Sequence, residues 1–284
     1  TLGLLIPPSI IMIVYGVAAN VSISKLFLAG VIPGLLLAAL FMGYIIVWAL
    51  FNKDKVPAAD AAMTFKQKIY ASRHLIPVVS LIGLVLGGIY SGIATATEAA
   101  ALGVGGALIL AKIEGSLNWE RFKDGLVAAC RVYCMIGLIL AGAAFLTLAM
   151  GFIGLPRHLA EFIGGLHLSP FNLMLLLVVF FIVLGCFLDG ISMVVLTIAV
   201  LLPTVEAAGF DLIWFGIFIV LVVEMAQITP PVGFNLFVIQ GLTRREVTWI
   251  ARTALPLFAL MMVAVLLTYF VPDVVLWLPT RMQG

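Results

Sequence analysis

The sequence predicts an all-α polytopic membrane protein, and three observations carry that prediction. Of its 284 residues, 64% are hydrophobic and only 10% charged, against about 25% charged in an ordinary soluble domain. Apolar runs at 26–51 and 254–278 reach or exceed the roughly 20 residues that span a bilayer as a helix. The alternating segments of about 10 residues that mark a membrane β-barrel are missing.

The same composition sets other classes aside. A net charge of +2 is too small for nucleic-acid binding, and the basic residues gather in loops. Cys130, Cys134 and Cys186 lie in or beside apolar segments without a C-x-x-C pair. They read as small buried side chains rather than redox or metal ligands. His74, His158 and His167 have no metal-ligand spacing, and no phosphate-binding glycine motif occurs. Neither ATP chemistry nor a bound cofactor is therefore expected.

The elements follow in order. The chain opens inside an apolar segment, TLGLLIPPSII, without an initiator Met or a charged leader. It thus reads as part of a longer protein, cut at its front. A span at 26–51 comes next, and Lys53, Lys55, Lys66, Lys68 and Arg73 place 52–73 in the cytoplasm by the positive-inside bias. The run 74–111 is too long for one crossing and divides at GIYSGIATATE into spans 75–90 and 95–111. Lys112, Arg121, Lys123 and Arg131 return 112–131 to the cytoplasm. Within it, NWERFKDGLVAACR has the pattern of an amphipathic helix lying on the membrane surface.

Residues 132–154 cross outward and leave GLPRHLAEFIGGLHLSP outside. The stretch 170–204 is apolar except at LGCFLDGIS, and its arms are short. It is expected to be a re-entrant hairpin, because irregular backbone at membrane depth must be buried in protein or line a wet cavity. Residues 212–240 cross inward, Arg244, Arg245 and Arg252 mark 241–253 as cytoplasmic, and the span 254–278 leaves the C-terminus outside. Thr95 with Glu98 has capping-box spacing, as has Thr243 with Glu246. GLVLG at 83–87 and GIYSG at 88–92 have the G-x-x-x-G spacing of close helix packing.

Two membrane segments carry Pro-Pro: LGLLIPPSII at the start and ITPPVGFNLF at 228–237. Parity runs the first outward and the second inward, the relation expected of an inverted repeat. Each proline removes a backbone donor and clashes with a carbonyl one turn back, and a freed carbonyl in hydrocarbon costs several kcal/mol unless satisfied. A cation coordinated by unwound carbonyls satisfies them without formal charge; a kink satisfied by neighbouring helices is the plainer reading. Gln227 and Thr229 add side-chain oxygens, Gly233 permits close backbone approach, and Asn235 can reach a substrate or a facing hairpin. Asp189, at the hairpin tip with Gly190 and Ser192, is either an ion ligand or a helix cap. Glu224 is a second intramembrane carboxylate, functional or structural.

Four stretches, TLGLLIPPSIIMIVYGV, GIATATEAAALGV, LGCFLDGISMVVLT and EMAQITPPVGFNLFVIQG, together resemble the large membrane subunit of tripartite ATP-independent periplasmic (TRAP) transporters, over residues 1 to 278. The resemblance implies a bacterial inner-membrane secondary transporter with an inverted-repeat, elevator-type architecture. Its implied parts are a first broken helix at 1–19 and scaffold and linking helices at 26–168. A hairpin with the second broken helix at 170–240 follows, then an arm and last span at 243–278. It implies import of an organic acid such as a C4-dicarboxylate, sialic acid or another sugar or keto acid, coupled to Na⁺. A small four-helix membrane subunit and a periplasmic substrate-binding protein are the implied partners, within the lipid bilayer.

Carried onto this chain, the resemblance implies one Na⁺ site at Gly185, Asp189, Gly190, Ser192, Gln227, Thr229 and Gly233. Half of another falls at Gly3, Ile6, Pro7 and Ser9, whose facing hairpin would lie upstream. Pro8, Pro230, Pro231 and Asn235 would face substrate. Read from residues alone, other functions stay open: an organic-anion symporter needing no binding protein, an intramembrane enzyme using Asp189 and Glu224, or a passive channel. The enzyme lacks a converging Ser/His or His/Glu partner, and a channel gives no reason for inverted breaks.

Overall fold

A computed structural model describes residues 2–56, 64–166, 168–230 and 233–281, and among these the regular structure is helical, without a strand. Among the described residues, five helices are long and apolar enough to cross a membrane, and three shorter apolar helices accompany them. The chain is a multi-pass α-helical membrane protein. It divides into two compact units, Thr1–Ala38 with Arg131–Gly284, and Ala39–Cys130.

The chain begins with α1 (Leu2–Leu5), a break, α2 (Ile10–Ala18) and α3 (Ile23–Phe51), which carries Pro33 inside it. The Ala39–Cys130 unit then holds α4 (Phe65–Ser72), α5 (Ile76–Tyr90) and α6 (Ala96–Ile113). Helices α5 and α6 match the expected division of 74–111 and pack against each other. Gly92 makes the turn between them at φ +72°, a conformation that favours glycine. The Thr95–Glu98 capping box is formed: Thr95 accepts from the Glu98 amide, and Glu98 accepts from the Thr95 amide at 2.8 Å. The expected G-x-x-x-G packing is displaced to the partner helix. Gly83 and Gly87 face open space, whereas a Cβ at Gly103 or Gly106 would meet Val85 at 3.0 Å or Leu81 at 2.6 Å. The close approach is real, but α6 supplies the small residues.

Helix α7 (Trp119–Ile153) is continuous over 35 residues, about 52 Å at 1.5 Å per residue. The expected surface helix is instead its first turns, because no proline or capping residue lies between Gly125 and Val132 to break it. Cys130 and Cys134 on it are exposed, not buried as expected, because α7 buries none of its residues against the rest of the chain. Gly154 (φ +75°) separates α7 from α8 (Leu155–Gly165), a helix carrying an exposed Arg157–Glu161 pair at 2.8 Å. That pairing holds the Glu161 carboxyl below its usual range. His167 lies outside the described residues.

The remainder comprises α9 (Pro170–Gly185), α10 (Gly190–Ala207), α11 (Leu212–Gln227), α12 (Phe234–Thr243), α13 (Val247–Phe270) and α14 (Asp273–Arg281). Ser169, Asp189 and Asp211 cap α9, α10 and α11 with side-chain oxygens. The expected Thr243–Glu246 capping box does not form. Arg244 closes α12 in the left-handed region (φ +54°), the Thr243 hydroxyl donates to Ile239 O at 2.8 Å, and Glu246 takes the N-cap position of α13 without a side-chain capping bond. Residues 247–253, expected as part of a separate arm, are the first turns of α13. That helix stops at Phe270, two residues before Pro272.

Helix α11 is the core of its unit. Every residue from Trp214 to Gln227 is buried, as suits a helix apolar on all sides. Helices α1, α2, α9, α10, α12, α13 and α14 all pack on it. In lipid, helices gain from tight packing rather than from leaving water, so small residues matter. A Cβ at Gly216 would meet the Tyr15 ring at 2.6 Å and Leu26 at 2.7 Å, which lets α2 and α3 close on α11. Side-chain bonds fix the same end: Tyr15 donates to Leu212 O at 2.6 Å, and Trp214 Nε1 to Thr268 O at 2.7 Å.

Candidate functional site: two broken helices and a hairpin tip

The first break lies between α1 and α2. Its Pro7–Pro8 peptide is cis. Ser9 is buried; its hydroxyl donates to Leu4 O across the break and accepts from Met12 N at 3.3 Å, capping α2. Pro7 is buried, while Gly3, Ile6 and Pro8 are exposed. Glycines of α3 receive this segment: a Cβ at Gly34 would meet Ile6 at 2.8 Å, and one at Gly30 would meet Leu5 O at 2.8 Å.

The second break lies between α11 and α12, and Pro231 falls outside the described residues. The helix unwinds after Gln227 as Thr229 N bonds Ala226 O at 3.1 Å and Gly233 N bonds Thr229 O at 3.2 Å. Gly233 is buried, and a Cβ there would meet Gln227 O at 2.7 Å and Thr229 O at 2.8 Å. Two carbonyl oxygens therefore lie against a bare Cα, the close approach for which glycine is needed. The Thr229 hydroxyl donates to Met225 O at 2.8 Å. Asn235 follows on the first turn of α12, and its Nδ2 is buried without a hydrogen-bond partner among the described residues.

The hairpin tip joins α9 to α10 through residues 186–189. Asp189 is exposed and serves as the cap: Oδ2 accepts from Ile191 N at 3.1 Å and Ser192 N at 3.2 Å, and the Ser192 hydroxyl donates to Oδ1. A carboxylate at a helix N-terminus is favoured by unpaired amides and by the helix dipole.

Packing brings the tip and the second break together. Gly185 lies so close to α11 that a Cβ would overlap Ala226, and one at Gly190 would overlap the Gln227 amide. The Gly190 position also faces Ile11 of α2 at 3.1 Å, so the hairpin tip touches both broken helices. Cys186 Sγ lies 3.4 Å from Pro230 O. Cys186, Ala226 and Ile11 were not among the residues that sequence reasoning selected. Ala226 beside Gln227 carries no local signature, since only a facing glycine makes its size matter.

A chemical property is shared by Ser9, Ser192 and Thr229. Each hydroxyl donates its single proton to an oxygen of its own segment. What each can then offer a third group is a lone pair, as a cation or a donor requires. Glu224, one turn before Gln227, is buried within α11. No group of three or more His, Cys, Asp or Glu side chains suited to a metal ion occurs among the described residues.

Residues 1–274 match the family described as the tripartite ATP-independent periplasmic transporter, DctM component. The chain is 33% identical over 277 residues to the isethionate TRAP transporter permease protein DctMQ of Oleidesulfovibrio alaskensis, covering 96% of this chain and 43% of that protein. It is 32% identical over 280 residues to the C4-dicarboxylate TRAP transporter large permease protein DctM of Pseudomonas aeruginosa, covering 98% and 65%. To the ectoine/5-hydroxyectoine TRAP transporter large permease protein UehC of Ruegeria pomeroyi it is 31% identical over 288 residues, covering 98% and 64%. The chain thus spans between two-fifths and two-thirds of the length of these relatives, which are named as transporter permeases rather than enzymes.

Proposed function

The chain belongs to the tripartite ATP-independent periplasmic transporter family, as a DctM component, and on that premise we propose that it forms part of a Na⁺-coupled, binding-protein-dependent importer of an organic acid. The observation that carries this reading is the seating of the hairpin tip on the second break, Gly185 on Ala226 and Gly190 on Gln227. Carbonyls of Gln227 and Thr229, with the lone pair of Thr229, give a Na⁺ ligand set that needs no formal charge. Asp189 and Ser192 stand at the tip, and the Nδ2 of Asn235 offers a donor to a substrate carboxylate. Ser9 and the first break supply the corresponding half of a second site.

Relatives named for isethionate, C4-dicarboxylates and ectoine support a small organic acid as cargo. The partners in this reading are a periplasmic substrate-binding protein and a small membrane subunit, with an elevator motion of the hairpin and broken helices. The membrane is a bacterial inner membrane, with basic loops in the cytoplasm.

The test is uptake of radiolabelled organic acids into liposomes holding the complete large permease, its small subunit and its binding protein. An inward Na⁺ gradient should drive accumulation. Uptake indifferent to that gradient would remove Na⁺ coupling, and equal uptake without the binding protein would make the permease a direct symporter.

A further inference from the structure

A cavity of about 310 Å³ lies between the second break and α13, lined by Ile228, Thr229 and Pro230 on one side and Thr248, Arg252 and Leu255 on the other. The three α13 residues stand at i, i+4 and i+7, so they share one helix face. The lining is apolar but for the two threonine hydroxyls and one guanidinium. Arg252 is exposed and makes no ion pair among the described residues. Arg244 and Arg245 lie in the short link that precedes α13, and the Arg245 guanidinium sits 5.2 Å from the ring of Trp249, itself 53% exposed. An exposed guanidinium at the edge of an apolar recess, as Arg252 stands here, has the two-part character of an amphiphile's binding site.

We propose that an anionic phospholipid of the cytoplasmic leaflet occupies this cavity, with its phosphate on Arg252 and an acyl chain against the apolar wall formed by Ile228, Pro230 and Leu255. Arginine pairs with phosphate in a forked geometry, and arginines beside a membrane helix on its basic side attract anionic lipid. A fully hydrophilic anion would gain one exposed guanidinium and leave the apolar wall uncovered, whereas a lipid satisfies both. Because Thr229 and Pro230 belong to the break itself, the bound lipid would touch the segment whose carbonyls meet at Gly233. The transporter's break would then sense the composition of the leaflet.

The test measures lipid binding without Na⁺ or organic acid, so it stands apart from the transport reading. The complete large permease with its small subunit, in mild detergent, is titrated with phosphatidylglycerol or phosphatidylcholine and followed by native mass spectrometry. A retained phosphatidylglycerol adduct is expected, weakened about fivefold in Arg252→Gln and restored in Arg252→Lys. Ala254→Leu, which fills the recess, should weaken both lipids, while Lys123→Gln should leave binding unchanged. Unfolding temperatures confirm that each variant is folded. Equal binding by Arg252→Gln and the parent overturns the proposal. So does competition by inorganic phosphate or glycerol phosphate, which would make this a free-anion site. Loss of the small subunit in Arg252→Gln, with no adduct in the parent, would overturn it in favour of a polypeptide occupant.

Discussion

Cys186 and Pro230 stand 44 positions apart in the chain, and Cys186 Sγ reaches the Pro230 carbonyl at 3.4 Å. The hairpin tip thus contacts an unwound carbonyl directly, beside the glycine contacts that seat it. Pro231, which follows, has no amide hydrogen, so the break is held by contacts like this one rather than by a helical ladder.

Gly185 is one of the two tight glycine contacts that seat the tip. Gly185→Val would drive a branched side chain into Ala226 and should destabilise the protein by about 1–3 kcal/mol, the usual cost of overpacking. A lowered unfolding temperature in detergent checks this. A paired change, Gly185→Ala with Ala226→Gly, should recover part of the loss, and the same loss in single and paired variants would show that this contact is not the cause.

Gly233→Ala places a methyl group where Gln227 O and Thr229 O now lie at 2.7 and 2.8 Å. The carbonyls must turn away, so the Na⁺ concentration giving half-maximal uptake should rise by tenfold or more, on the order of 1.4 kcal/mol of lost binding. Unchanged Na⁺ dependence would remove the break carbonyls from the ion site.

Asp189 allows capping and ion binding to be separated. Asp189→Asn keeps an oxygen for the amides of Ile191 and Ser192, so stability should hold, whereas Asp189→Ala should lose about 1 kcal/mol. If the carboxylate also serves Na⁺, the Asn variant weakens Na⁺-dependent uptake at unchanged stability. Normal uptake in that variant assigns Asp189 to the cap alone.

The capping box of α6 supplies a control remote from transport chemistry. Thr95→Ala and Glu98→Ala each remove part of a reciprocal pair, so the Thr95 variant should cost about 1 kcal/mol. The double variant should cost less than the sum, because the two share one set of bonds. Uptake normalised to folded protein should not change.

Local chemistry made much of this protein readable from its residues. Composition required membrane helices, Pro-Pro required breaks within IPPS and TPPVG, and Thr95 with Glu98 required a helix start. Each of these is a property of a short segment, governed by donors, acceptors and solvation close in sequence.

Packing between distant segments decided the rest. Helix α7 buries none of its residues, which leaves Cys130 and Cys134 exposed, and α6 rather than α5 provided the glycines at the α5–α6 contact. Thr243 and Glu246 had the spacing of a cap, yet Arg244 ended one helix and Glu246 began the next. Gly185 and Gly190 were visible as glycines, but nothing near them in the chain names Ala226 or Ile11 as the groups they face. Such contacts depend on how whole helices approach α11, and a steric requirement of that kind acts only when two segments far apart in sequence share one space.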